Sequence, residues 1–578
     1  MVRFSPATLA LLVLLPTTVL AQAAALPIRV EIEGVTGTVE RNVRAVLGIA
    51  RADTGRLTGD RAARLHRTAE EDIATALEPF GYYEPAVRGT LRQEGGRWIA
   101  HYRIDPGPPV VVSSLDVGVR GEGADTPPFN DLITNFELAK GDTLRHLPYE
   151  TLKLDLLSLA ADSGYLDAAF DTAVIRVDRA ALSADIIVRF NTGPRFRFGE
   201  VTFHQEVLDE NFLRTRVPFQ RGQPYQLHKL LELQVSLSED PYFSRVEVIP
   251  ERGRAQGLEV PIAVELVARK NQAYEAGVGY ATDNGPRGNA SAALRRINRQ
   301  GHHAELSITG SILEQSASVQ YMIPAFGHPK GVLTLLAGYA ILNPVTSDSR
   351  TWRLGARLAR PRLGWRETFS ITYQREAFLI GFDSATTTLL IPGASWERTR
   401  SDSRIFPSRG IRTRLDLQGA VKDVLSNASF VQVRASGKLI HSLGSRMRGI
   451  VRAEVGRNFT KTFRELPPTL RFFAGGDQSV RGFGYNALGP REAKAYIGGA
   501  NLVVASLEAD FRLMPRWAIA VFTDAGNATL DWSLDLEQSI GTGIRWISPI
   551  GLVRVDVALP VTEPDNPMRF HFSIGPDL

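Results

Sequence analysis

The feature that most constrains this chain is an alternation of apolar and polar residues that begins after Lys270 and runs to the C-terminal end. Met568, Phe570, Phe572 and Ile574 share one face of such a segment, and Arg569, His571 and Ser573 share the other. Val553, Val555, Val557 and Leu559 oppose Arg554 and Asp556 in the same way. Leu507, Ala509, Phe511 and Leu513 oppose Ser506, Glu508, Asp510 and Arg512. Successive strand side chains point to opposite faces, so each segment reads as a strand with one apolar and one charged face. Sixteen segments begin near residues 273, 289, 302, 315, 331, 351, 366, 385, 410, 428, 447, 501, 516, 539, 551 and 567. Their mean spacing of about 19 residues holds a membrane strand of roughly 9–11 residues and its turn or loop. Met514–Trp517 and Ser548–Gly551 read as short turns. A soluble sandwich would have to hide the charged faces. An antiparallel barrel sends them to a wet lumen, turns the apolar faces to lipid and closes its backbone hydrogen bonds.

Composition removes several other classes. With 44% hydrophobic and 22% charged residues and a mean hydropathy of −0.09, the chain is neither a polytopic helical membrane protein nor disordered. A net charge of +5 over 578 residues is too thin for nucleic acid, and no such partner is expected. There is no cysteine, so disulfides, thiolate metal sites and cysteine nucleophiles drop out. At the start, Arg3, an apolar run from Leu9 to Leu20 and Ala21-Gln22-Ala23-Ala24-Ala25 form a secretory signal, cleaved after Ala23 or Ala25. No later stretch reaches 18 uninterrupted apolar residues, so no membrane-spanning helix is expected.

Between signal and barrel the chain repeats itself. The first repeat has a strand over 28–35, a helical stretch over about 62–78, and strands near 86–92 and 97–104. The second has strands over 114–119, 173–177 and 184–190 and a helix near 149–163. The third has strands over 197–203, 244–250 and 258–268 and a helix near 227–237. Tyr82, Tyr165 and Tyr242, each just past a helix, are 83 and 77 residues apart. A period near 80 marks a repeated β-α-α-β-β unit in which these tyrosines are core residues. The expected division is 1–25 signal, 26–109, 110–195 and 196–270 α+β repeats, and 271–578 barrel.

A connection from about Asn458 to Ala500 separates the eleventh and twelfth strands and contains Phe472-Phe473-Ala474-Gly475-Gly476-Asp477-Gln478-Ser479-Val480-Arg481-Gly482-Phe483-Gly484-Tyr485. Here the chain resembles the BamA/TamA superfamily of outer-membrane assembly and translocation proteins. The hallmark of that family is a Val-Arg-Gly-Phe/Tyr tip in the sixth extracellular loop, matched by Val480, Arg481, Gly482 and Phe483. Residues 404–410, 522–526 and 543–551 are similar to other family stretches. The repeats then look like POTRA domains. Three of them are like the TamA (translocation and assembly module) branch, whereas the BamA branch carries five. The chain departs from a common outer-membrane ending, closing on Gly575-Pro576-Asp577-Leu578 instead of an aromatic residue.

The resemblance implies an outer-membrane protein with a periplasmic arm. It would help β-rich clients such as autotransporters to insert or cross, with a TamB-like periplasm-spanning partner and with outer-membrane lipid as a further cargo. It also implies that the loop tip folds into the lumen and that Arg481 meets the acid of a Phe-x-Asp-x-Gly motif, here Asp524. Strand parity places Glu508 and Asp510 on a polar face and gives Phe522 and Asp524 a common face. The strands expected to part for a client are Tyr274–Ala281 and Met568–Gly575, where Gly277, Gly279 and Gly575 give few side-chain contacts and Phe570 and Phe572 are outward aromatics. A two-partner secretion pore and a passive porin are the competing readings. Gly482–Ala487 matches a dinucleotide fingerprint but follows a polar loop instead of a strand, and Gly437-Lys438 is followed by Leu439 where a phosphate loop has Ser or Thr. His302 and His303 point to opposite faces of a strand and cannot share an ion. No catalysis, cofactor or metal is expected.

Overall fold

The structure, a computed structural model, describes residues 26–52, 57–283, 285–325, 331–344, 347–403, 406–548, 551–563 and 567–575. The signal at 1–25 lies outside the described residues, as do Arg404, Ile405, Pro549, Ile550 and 576–578 of the stretches named above. Two compact units divide within the third repeat. One holds the first two repeats with 219–231 and 250–262; the other holds 202–218, 232–249 and everything from 263 onward.

In the first repeat, Ile28–Glu33 pairs parallel with Arg97–Asp105, which pairs antiparallel with Ala86–Glu94. The last-formed strand is therefore central, and the second repeat has the same order, with Ser183–Asn191 between Val111–Arg120 and Ala169–Asp178. The third three-stranded sheet follows the same plan with Arg197–His204, Phe243–Pro250 and Glu259–Ala268. The helical stretch expected over 62–78 is two helices, Gly59–Arg67 and Ala69–Leu77. They meet at Thr68, whose hydroxyl donates to the Leu65 carbonyl and so competes with the helical ladder. A further helix, Gly37–Val46, was not read from the sequence; its core positions Val39, Val43 and Val46 are β-branched, which masks a helical pattern. Tyr165 and Tyr242 are buried, and Tyr82 packs against the first core.

The barrel sheet has sixteen strands in chain order, each antiparallel to the next. Every strand begins within four residues of its expected start. The thirteenth, Trp517–Thr529, shows how the pattern works. Trp517, Ile519 and Val521 lie exposed, while Ala518, Ala520, Phe522 and Asp524 are buried. Outward Trp517 and Trp546 stack at 6.0 Å, and outward Trp352 packs on Tyr339 at 4.5 Å. Such a continuous apolar exterior is stable only against lipid.

The sheet is continuous except at one place. The first strand, Gln272–Ala281, pairs with the second, and the last, Arg569–Gly575, with the fifteenth. No ladder joins first to last among the described residues. The strands at this seam have 10 and 7 residues, against 16 and 19 for Trp365–Ile380 and Asp383–Ser401 across the barrel. Outward placement of the thirteenth strand is directly testable. Val521→Arg should lower stability in lipid vesicles by about 2–4 kcal/mol in urea unfolding, whereas Arg516→Ala in the adjoining turn should stay within about 0.5 kcal/mol.

Candidate functional site

The long connection between the eleventh strand (Met447–Phe459) and the twelfth (Asn501–Met514) does not lie over the barrel; its apolar residues pack inside it. Phe472, Ala474, Val480, Phe483 and Leu488 form one cluster with the lumen residues Leu502, Val504 and Ala528. Farther along the wall, Arg471 is enclosed. It donates to the carbonyls of Leu466 (2.8 Å) and Ile497 (3.0 Å) and to Asp383 (3.2 Å). Apolar burial thus brings the loop in, and polar contacts fix its path.

Arg481 sits at the tip, 5% exposed. Its Nε donates to Asp524 Oδ2 at 2.7 Å and its Nη2 to Oδ1 at 2.9 Å, a two-pronged grip. The Arg481 backbone N–H also donates to Asp524, at 3.0 Å. Nη1 donates to Glu508 (2.7 Å) and Asp556 (3.1 Å), and Nη2 to Ser506 (3.3 Å). The guanidinium carbon lies 3.4 Å from the centre of the Phe522 ring. All of its donors are directed at fixed acceptors, and its flat face rests on an aromatic. A lysine ammonium could reproduce neither feature.

This contact belongs to a larger buried network. Arg545, with no exposed side-chain surface, donates to Glu508 Oε1 (2.7 Å) and to Asp556. Arg448 donates to Asp510 (3.0 Å), donates to the Pro407 carbonyl (3.1 Å) and stacks on Phe406 at 3.6 Å. Three guanidiniums thus interlock with four carboxylates contributed by the twelfth, thirteenth and fifteenth strands. A fourth guanidinium, Arg452, donates to the loop carbonyl of Ser479 at 2.6 Å. Space for this packing comes from the fourteenth strand, Glu537–Ser548. A Cβ at Gly543 would overlap Asp556 Oδ1 at 1.8 Å, so only glycine fits there. Gly482 has φ +94°, the left-handed region that turns the chain after Arg481, and its N–H donates to His571 Nε2 at 2.9 Å.

The residues named from the sequence fall in two places. Val480, Arg481, Gly482, Phe483, Asp524 and Glu508 come together in the lumen. Tyr274, Gly277, Gly279, Phe570, Phe572 and Gly575 lie on the seam strands. Tyr274 and Phe570 are exposed, and Phe572 approaches Tyr280 with ring centres 6.3 Å apart. The sequence reading missed the contacts of Asp556 and His571 with the tip and the place of Arg545 and Arg448 in the network around it. Alternation had placed Asp556 and His571 on polar faces, and Gly543 beside Arg545 was a further signal, but alternation does not say who meets whom across a lumen. His302 Nδ1 lies 2.8 Å from the Tyr321 hydroxyl and His303 Nδ1 3.3 Å from the Gly301 carbonyl. Only His303 belongs to the strand, His303–Ser311, so the expected alternation of the pair along one strand does not apply.

Known proteins share this architecture. Residues 29–106 match the POTRA domain TamA domain 1, and residues 299–577 match the Omp85 superfamily domain. The chain belongs to the Omp85 superfamily. An outer membrane protein assembly factor BamA from Nitratidesulfovibrio vulgaris is 23% identical over 597 residues, covering 95% of this chain and 72% of that one. A BamA from Neisseria meningitidis serogroup B is 25% identical over 223 residues, which is 31% of this chain and 28% of that protein. The crystal structure of BamA from Haemophilus ducreyi lacking POTRA domains 1-3 shares the fold, with a TM-score of 0.67 at 17% identity over 81% of this chain and 99% of that chain. As in other Omp85 proteins, the barrel lies in the outer membrane and the repeats in the periplasm.

Removing one partner of a buried ion pair costs about 3–5 kcal/mol, less where water reaches it. Arg481→Ala and Asp524→Ala should each lower the heat-modifiable stability of this Omp85 barrel, and Arg481→Lys should remain defective. The double alanine variant should be less damaged than the sum of the singles, with a coupling of about 0.5–3 kcal/mol. Strict additivity would show that the two residues do not act as a pair.

Proposed function

We propose that this Omp85 protein is the outer-membrane component of a translocation and assembly module. It assists β-rich outer-membrane clients, autotransporters among them, as they insert into or cross the membrane. The observation that carries this reading is the seam. The sheet pairs each strand with the next, yet among the described residues its first and last strands share no ladder, and backbone groups unpaired in lipid are costly. Parted strands would offer a client strand the missing hydrogen bonds by β-augmentation.

Two further observations support the finer assignment. The first repeat matches a TamA-type POTRA domain, and the arm has three repeat sheets, as the TamA branch does. The partner in this reading is a TamB-like protein that spans the periplasm, and the pair also handles outer-membrane lipid. The loop packed inside the lumen favours this reading over a passive porin, whose pore would have to stay open.

The test uses the cysteine-free background. Tyr280→Cys paired with Phe572→Cys, and neighbouring pairs scanned for bridging geometry, should give a disulfide that abolishes client assembly, with activity returning on reduction. Full activity in an efficiently bridged protein would sink lateral opening. In vesicles, the full chain should also bind a TamB-like partner, and no measurable affinity would remove the module assignment while leaving the seam mechanism standing.

A further inference from the structure

Although no backbone ladder closes the seam among the described residues, side chains do close one end of it. That end is the outer one, because the first strand rises from the periplasmic arm and Thr282 and Asp283 follow its last residue. The Phe572 N–H of the last strand donates to Thr282 Oγ1 at 2.9 Å. The Thr282 hydroxyl donates in turn to the Asp477 carboxylate of the loop, 3.1 Å from each oxygen. The Asp477 N–H donates to Asp283 Oδ2 at 2.7 Å. On the far side the Asp477 carboxylate meets His571 Nδ1, and the side chains of both residues are almost enclosed, at 6% and 5% exposure.

The proton positions in this chain of contacts follow from its donors. A backbone amide can only donate, so Gly482 N–H requires a lone pair on His571 Nε2. The neutral ring must then carry its proton on Nδ1, aimed at Asp477. Asp283, Asp477 and His571 are close enough to suggest a cation site. A cation on Nδ1 would strip the ring of both protons while Nε2 still accepted from Gly482. The cluster is therefore a hydrogen-bonded clasp and not a metal centre.

We propose that Asp477 is the positioning residue of a side-chain clasp through which the seated loop tip holds the outer end of the seam shut. The loop touches the last strand twice, through Asp477 and through Gly482 to His571, and reaches the turn after the first strand through Thr282 and Asp283. Four residues beyond Asp477, Arg481 ties the same tip into the lumen network. Seating of the tip and closure of the outer seam are thus one coupled event, and each favours the other by the same free energy. The inference rests on the reading that the seam parts in function, and it adds what controls the parting.

Distances between spin labels test this without any client. One pair, Val278→Cys with Phe570→Cys on the lipid-facing sides of the seam strands, reports the seam. A second, Tyr485→Cys with Leu530→Cys, reports loop seating. Heat-modifiable mobility confirms a folded barrel in every variant. Asp477→Ala should add a longer-distance population to both pairs. Thr282→Val, a change of similar shape, should widen the seam pair far more than the loop pair, because the tip keeps its contacts to His571 and Asp524. Arg481→Ala should release the loop and, through the clasp, widen the seam. A wild-type seam distribution in folded Asp477→Ala, or a released loop with an unchanged seam in Arg481→Ala, would overturn the clasp. A bridged seam that remains fully active would remove the functional reading alone, since the coupling is measured by distance and not by client assembly.

Discussion

Every backbone amide and carbonyl that this barrel places in lipid needs a partner, and among the described residues fifteen of its sixteen strand neighbourhoods in the ring supply one. The sixteenth does not. Much of the remaining structure can be understood from that shortfall. The strands at the seam are short, the wall opposite is long, and the long loop is brought inside against the twelfth and thirteenth strands, with its tip reaching the gap at Thr282 and His571. A fully closed ladder would be more stable and would give a client strand nothing to pair with.

The interior balances a second constraint. Guanidiniums and carboxylates removed from bulk water are expensive unless every lone pair and proton is met. Arg481, Arg545 and Arg448 come close to this condition together with Glu508, Asp524, Asp556 and Asp510 Oδ2, while buried Asp510 Oδ1 has no hydrogen bond and only Arg545 Nε at 3.8 Å. The cation faces of Arg481 and Arg448 are covered by Phe522 and Phe406. A network of this kind contributes definition more than net stability: it has one satisfied arrangement, with the tip seated. Gly543 shows how tightly the arrangement is packed, because no side chain fits where Asp556 passes.

How far the molecule could be read in advance follows from which physical rules are local. Alternation within a strand is local, so the strand starts, the lipid-facing residues and the polar faces bearing Glu508, Asp524 and His571 were legible from the chain alone. The Arg481–Asp524 pair was legible only through resemblance to a family, since 43 residues separate the partners and nothing in strand periodicity relates them. Arg545 and Asp556 share a face pattern with many other residues, and their meeting with Arg481 depends on barrel curvature and on the space left by glycine. In the repeats, Thr68 broke an apparently continuous helix by a side-chain hydrogen bond, and valine-rich Gly37–Val46 formed a helix through burial against propensity.

The open seam is the claim on which the rest depends, and amide hydrogen exchange of the full-length protein in lipid vesicles measures it most directly. Amides of 272–281 and 569–575 that face the seam, Phe572 N–H held by Thr282 excepted, should exchange far faster than those of the eleventh to thirteenth strands, whose ladders are complete on both sides. Protection at the seam equal to that of those interior strands would contradict the account.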